Sequence, residues 1–205
     1  MQLAAVAGSE ALGNMSTSAK FGPNVSRTVR WIERARAADL QVVRIATRSA
    51  RPRTLKYLAM TITKLGNGWI YPILSAIILI RWGLFGLRII ASAVASAGLL
   101  HSVYPSLKRS FLRARPFVTD ASLQSPFAPL DAYSFPSGHT MTMTGVFVPL
   151  VAYWPAILPA TLVMACGLAW SRLATAHHYP SDVLAGAALG MAVGYPVALC
   201  FIWLW

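Results

Sequence analysis

Apolar runs broken by short polar islands set the pattern of this chain. The runs fall at about 69–80, 89–106, 140–153, 156–170 and 183–205. A bilayer span needs about 20 residues, so several of these runs need their flanks to cross. Trp154-Pro155 splits 140–170 into two helices joined by a tight turn, and Arg81 and Arg88 separate the first two runs. The pattern predicts an all-α integral membrane bundle of about five spans, or six if residues 41–62 form another.

Before the first run the period changes. At about 100° per residue, Arg30, Arg34, Gln41, Arg44 and Arg48 share one stripe. Ile32, Ala35, Val42, Val43, Ala46 and Ala50 lie opposite, with Asp39 among them. Residues 27–51 are therefore expected to form an amphipathic helix that ends before Pro52. Such a helix lies either on an anionic leaflet, through Arg30, Arg34, Arg44 and Arg48, or against the protein's own helices. A second short helix is expected over 54–63. Residues 1–26 are small and polar and are expected to be flexible, with Met15 an alternative start to Met1. Residues 1–19 lack the basic and apolar segments of a signal peptide, so insertion would rest on the internal runs.

Three islands interrupt the apolar pattern: KRSFLRARP at 108–116, SFPSGH at 134–139 and SRLATAHHYPSD at 171–182. With five spans, the first island follows span two, the second opens span three and the third joins spans four and five. All three would then meet at one face. Ionisable groups that border a bilayer are costly and usually functional.

Composition narrows the classes. Of the 205 residues 56% are hydrophobic and only 12% charged, and the formal net charge is +12. A soluble domain would carry about 25% charged residues. The apolar content turns the positive balance away from nucleic acid and toward a membrane or an anionic substrate. Cys166 and Cys200 sit inside apolar runs and are expected to be small buried hydrophobes.

The islands hold the groups that phosphoryl transfer needs. Lys108, Arg115 and Arg172 supply cations, and Ser137 a hydroxyl. Gly138 allows close backbone approach beside a helix N-terminus. His178 and Asp182 share a face if 178–182 is helical, with Pro180 in the first turn. A carboxylate on one imidazole nitrogen leaves the other free as a nucleophile. His139, on another island, can protonate the leaving alkoxide. His177 points about 100° away from His178 on a helix and is set aside. His101 suits packing or a hydrogen bond, Ser171 a helix-end or supporting hydroxyl, and Arg109 and Arg113 headgroup contact or solvent. Metal binding by His139, His177, His178 and Asp182 is disfavoured by the surrounding cations, so no metal and no cofactor are expected.

Lys108…Arg115-Pro116, Pro136-Ser137-Gly138-His139 and Ser171-Arg172…His178…Asp182 resemble the three motifs of the type 2 phosphatidic acid phosphatase superfamily, in family order, over about residues 65–195. The resemblance implies a metal-independent lipid phosphatase with His178 as nucleophile, Asp182 holding it and His139 as acid. Lys108, Arg115, Ser137, Gly138 and Arg172 would bind the phosphate. With the earlier readings, the chain is expected to divide into a flexible 1–26, basic interfacial helices over 27–64 and a catalytic membrane domain over 65–205, the last resembling this superfamily. A vanadium haloperoxidase-like enzyme shares the constellation, but those proteins are soluble and larger. A catalytically silent scaffold would not need intact islands.

The lipid is open among polyprenyl pyrophosphate, phosphatidate, phosphatidylglycerol phosphate, lipid A phosphate and a polyprenyl-phosphate sugar phosphate, with polyprenyl substrates the first expectation. Eleven Lys and Arg precede the first span and only Arg81 and Arg88 lie at the far side. The positive-inside rule then puts the site on the cytoplasmic face of the cell membrane, whereas the resemblance implies the outward face. Gly186, Gly190 and Gly194 form a small-residue stripe suited to packing within the bundle or to a homodimer.

Overall fold

The structure is a computed structural model that describes residues 23–204. No strand occurs among the described residues. The helices are α1 (Pro23–Ser49), α2 (Arg53–Leu65), α3 (Ile70–Trp82), α4 (Phe85–Phe111), α5 (Pro116–Thr119), α6 (Gly138–Tyr153), α7 (Leu158–Ala174) and α8 (Pro180–Leu204). The flexible segment expected over 1–26 falls almost wholly outside the described residues. Among the described residues, those up to Asp39 and those from Leu40 form separate units. In the first, the Arg34 guanidinium lies 5.6 Å from the centre of the Trp31 ring.

Local chemistry explains the breaks. Pro52 cannot continue a helix, so α1 stops at Ser49 and α2 starts at Arg53. The possible sixth span over 41–62 is therefore not formed. Gly83 turns α3 into α4 at φ 57°, where a side chain would be strained. Pro155 opens a single 3-10 turn, Pro155–Ile157, between α6 and α7. Pro196 stands inside α8, which runs on to Leu204.

Apolar helices occupy all five expected runs. Three segments are long and apolar enough to cross a membrane: Phe85–Thr119, Pro155–Ala174 and Pro180–Leu204. The α2–α3 pair, bent by 64°, makes a fourth if taken as one span. The 13-residue α3 and 16-residue α6 are about 20 and 24 Å long, short of a hydrocarbon core of about 30 Å.

The packing centre is α6 against α8, with α4 beside both and α7 against α2. Gly186, Gly190 and Gly194 all face α6 of the same chain: an added Cβ would lie 2.5 Å from the Ser137 carbonyl oxygen, 2.6 Å from that of Met141 and 3.1 Å from that of Gly145. The stripe is thus filled from within, and a homodimer through it has no surface left. Ile78, Ile89, Ala93, Met143, Val146, Phe147, Leu150 and Leu168 fill the core between α3, α4, α6 and α7. Cys166 and Cys200 are exposed, not buried. In a membrane protein an apolar position faces lipid as readily as core, so hydropathy alone could not separate the two.

For Arg44 the structure takes the second of the two expectations, a contact within the protein. Its Nε donates to Asp120 Oδ2 at 2.8 Å, on the loop after α5. It is tied to the protein rather than left for a headgroup. Trp170 Nε1 donates to Ser49 Oγ at 2.9 Å, and Thr63 Oγ1 lies 3.1 Å from Ser171 Oγ. These bonds hold residues 44–63 at the end of the bundle that carries the islands.

Candidate active site

The three islands meet at one end of the bundle. One cavity of about 710 Å³ is lined there by Arg115, Gly138, His139, Arg172 and His178. Its inner wall is apolar, from Leu74 and Ile78 on α3, Val94 and Ala97 on α4, and Val146 and Leu150 on α6.

The cations come from three elements. Lys108 is on the last turn of α4, Arg115 precedes α5 and Arg172 is on the last turn of α7. All three are almost fully buried. Arg115 Nη1 donates to the His177 carbonyl at 2.8 Å and lies 3.4 Å from His178 Nε2. The buried Nε of Arg172 has no hydrogen-bond partner among the described residues. A buried guanidinium donor without a protein acceptor, lining a cavity, calls for an anion.

His178 lies two residues before the start of α8 at Pro180. Its Nδ1 lies 2.7 Å from the Ser134 carbonyl oxygen, which can only accept. Nδ1 therefore carries the proton, and Nε2 is left as a lone pair toward Arg115 and the cavity. Burial, then the charges of Arg172, Arg115 and Lys108, push the pKa of this ring well below the usual 6.5. The ring is neutral at pH 7, the form a nucleophile needs.

The expected bond from Asp182 to His178 is not the one formed. Asp182 Oδ2 is 3.6 Å from Nδ1 and instead accepts the Tyr179 N–H at 2.8 Å. This is the return bond of a capping box, an N3 carboxylate reaching the residue before the helix. Asp182 Oδ1 pairs with Arg113 Nη1 at 2.7 Å, and the same nitrogen donates to Ser181 Oγ at 2.6 Å. Arg113 also covers the Tyr179 ring at 3.9 Å. Arg113 is therefore part of the support for His178, not a solvated or headgroup-facing residue. Asp182 fixes the turn that carries His178 and places a negative charge near its ring.

A profile of the PAP2 superfamily matches residues 86–205. The chain belongs to the PAP2 superfamily. A lipid A 1-phosphatase of Rhizobium johnstonii is 29% identical over 177 residues, covering 75% of this chain and 70% of the relative. A decaprenylphosphoryl-5-phosphoribose phosphatase of Mycobacterium tuberculosis is 34% identical over 104 residues, 50% of this chain and 55% of the relative. The crystal structure of Aquifex aeolicus LpxE superposes with a TM-score of 0.66 over 78% of this chain and 93% of that one, at 24% identity.

Within this PAP2 site the second island is built around the start of α6. The Ser137 N–H donates to the Asp182 carbonyl at 3.0 Å, joining the α6 and α8 N-termini. The Ser137 hydroxyl accepts from Thr140 Oγ1 at 3.1 Å and is fully buried outside the cavity lining. Gly138 is required by its neighbour: a Cβ there would meet the Tyr104 hydroxyl at 2.7 Å. His139 Nε2 lies 2.5 Å from Asn67 Oδ1, in the bend between α2 and α3.

His177 turns away from the cavity. Its Nε2 reaches Ser125 Oγ at 2.7 Å and the Phe127 carbonyl at 3.2 Å. Burial and then Arg172 push its pKa down to about 3. His101 lines the cavity, with Nδ1 2.8 Å from the Ala97 carbonyl. Among the described residues no cluster of three or more His, Cys, Asp or Glu could hold a metal.

Four participants carried no signal in the sequence: Asn67, Tyr104, Asp131 and the carbonyl of Ser134. Asp131 Oδ1 accepts from Lys108 Nζ at 2.9 Å and from Arg115 Nη2 at 2.7 Å, and Oδ2 accepts from the Tyr104 hydroxyl at 2.8 Å. Lys108 also donates to the Tyr133 carbonyl. Burial raises the Asp131 pKa, but the Lys108 bond and charge, Tyr104 and Arg115 together hold it below the ordinary carboxylate value.

Proposed function

We propose that this PAP2 protein is a membrane lipid phosphatase that removes a terminal phosphate through a phosphohistidine on His178. The observation that carries the reading is the cavity that buried Arg115 and Arg172 line together with His178, whose Nε2 lone pair lies 3.4 Å from Arg115 Nη1, with an apolar wall leading away from them. A phosphate needs fixed cations and oriented donors, and a lipid tail needs apolar cover.

In the proposed reaction Nε2 of His178 attacks phosphorus and the P–O bond to the lipid breaks. His139 gives its proton to the leaving alkoxide. Water then attacks the phosphohistidine, the N–P bond breaks, and His139 takes back a proton. Lys108, Arg115, Arg172 and the Gly138 backbone balance charge on the phosphoryl oxygens. Asp182, itself paired with Arg113, favours the positive ring that forms on attack. None of these steps requires a metal.

Among the candidate lipids, a lipid A-type phosphate ranks first, because the lipid A 1-phosphatase relative aligns over most of both chains. A polyprenyl-phosphate sugar phosphate ranks second, on the shorter decaprenylphosphoryl-5-phosphoribose phosphatase match. Phosphate release from a panel of these lipids, phosphatidate and polyprenyl pyrophosphate, by the detergent-purified chain with and without EDTA, tests both activity and substrate. Release that resists EDTA, is inhibited competitively by vanadate and is lost in His178→Ala is expected. Undiminished release in His178→Ala would end the phosphohistidine reading.

A further inference from the structure

The Asp131 carboxylate bridges the two cations assigned to phosphate. It uses Lys108 Nζ and Arg115 Nη2 as its donors and is held from the other side by the Tyr104 hydroxyl. It lines the same cavity as His178 and Arg172, and its side chain is 34% exposed. Arg115 is tied to this residue twice, since its Nε also donates to the Asp131 carbonyl at 3.1 Å. A phosphate seated on the N–H groups of Lys108 Nζ and Arg115 Nη2 that now point at Asp131 competes with this carboxylate for them.

We infer that Asp131 is a specificity-determining residue: an internal counter-anion that an entering phosphate must displace from Lys108 and Arg115, so that a phosphomonoester is admitted and a phosphodiester is refused. The inference rests on the cationic cradle proposed above. Charge arithmetic gives the direction. A phosphomonoester carries about −1.5 to −2 at pH 7, against −1 for the carboxylate it replaces. The exchange gains charge between two buried cations. A diester carries −1, so its exchange gains no charge and loses the Tyr104 bond to Asp131. The device would bar the linking phosphates of ordinary phospholipids from a site surrounded by them.

The test measures inhibition constants of two soluble probes, inorganic phosphate and dimethyl phosphate, on the full chain in detergent micelles with a fixed lipid phosphate substrate. Wild type should be inhibited by phosphate and hardly by dimethyl phosphate. Asp131→Asn should lower the phosphate constant about tenfold, the scale of one charge-assisted hydrogen bond. It should also make dimethyl phosphate an inhibitor, so that the ratio of the two constants falls. Asp131→Glu, which keeps the charge, should restore the wild-type ratio. Tyr104→Phe, which removes one hold on Oδ2, should shift both constants in the direction of Asp131→Asn by about two- to threefold. A raised phosphate constant in Asp131→Asn would mean the carboxylate assembles the cradle rather than contests it, and would overturn the inference. Unchanged constants in both Asp131→Asn and Tyr104→Phe would overturn it too. If Asp131→Asn does not fold, judged by its melting curve, Tyr104→Phe decides alone. Failure of the cradle has a different signature: Arg115→Gln and Lys108→Gln would leave the phosphate constant of an otherwise wild-type chain unmoved.

Discussion

Replacing Gly190 by Ala tests whether the α6–α8 contact positions the site. A Cβ at 190 would lie 2.6 Å from the Met141 carbonyl oxygen, 2.7 Å from Thr144 Cβ and 2.8 Å from the Gly145 nitrogen. Two of these are backbone atoms, so no rotamer change relieves them. Returning the closest to an ordinary contact of 3.4 Å means opening the helix pair by about 0.8 Å. Overpacking of this kind costs about 1–3 kcal/mol, offset by about 0.8–1.0 kcal/mol from the better helix propensity of Ala. The net loss of up to about 2 kcal/mol lowers the melting temperature by up to about 8 °C for a chain of this length. The functional effect is larger than the stability effect. α6 begins at Gly138-His139 and α8 begins just after His178, so the same displacement separates His139 from His178, the acid and nucleophile of the proposed reaction. A misplacement near 1 Å costs up to about 100-fold in rate, and at least a tenfold fall in kcat/KM is expected. The assay pairs a detergent melting curve with phosphate release. Gly167→Ala on α7 is the control, because a Cβ there would meet only Ile62 Cδ1, at an ordinary 3.9 Å. Gly190→Ala with wild-type melting and wild-type kcat/KM would refute the claim that this contact sets the geometry.

Four further outcomes are expected. Asp182→Asn should lower kcat by about 10²–10⁴-fold, and Arg113→Ala by about tenfold through the lost pairing with Asp182; a fully active Arg113→Ala would break that link. Stability should fall with acid, because buried His177, with its pKa near 3, stays neutral when folded but takes a proton near pH 6.5 once unfolded. The loss runs from about pH 6.5 down toward 3, and His177→Gln should flatten the melting-temperature profile across that window. Finally, Gln124→Cys in a Cys166→Ala, Cys200→Ala background reports the face of the site through an impermeant maleimide applied to intact cells. The basic residues before α3 expect protection, and labelling would assign the outward face that the family motifs imply.

The helices were legible because each run of apolar residues ends at a residue with an unambiguous backbone effect: Pro52, Gly83, Trp154-Pro155. The islands were legible because their spacing is tied to helix ends. What escaped has a physical reason in each case. The partner of His178 Nδ1 is the carbonyl of Ser134, and a backbone acceptor leaves no side-chain trace. Asn67 and Asp131 act from loops, where neither residue type nor periodicity reports direction. Tyr104 sits in an apolar run and reads as packing until Gly138 is found against it. Arg113 resembled any exposed cation beside a membrane, yet Asp182 lies 69 positions along the chain and 2.7 Å away. The span count was blurred by α3 and α6, apolar enough but too short.

The cavity has its apolar wall on α3 and α4, and Val94 and Gly98, exposed on the flank of α4, belong to that wall. A lipid can therefore reach His178 sideways, without leaving its leaflet. Encounters then take place on a plane instead of in a volume. Saturation should follow the mole fraction of substrate among all amphiphiles present, not its bulk molarity. Adding inert detergent or lipid at constant total substrate should slow turnover, and a KM for this protein is properly expressed in mole per cent.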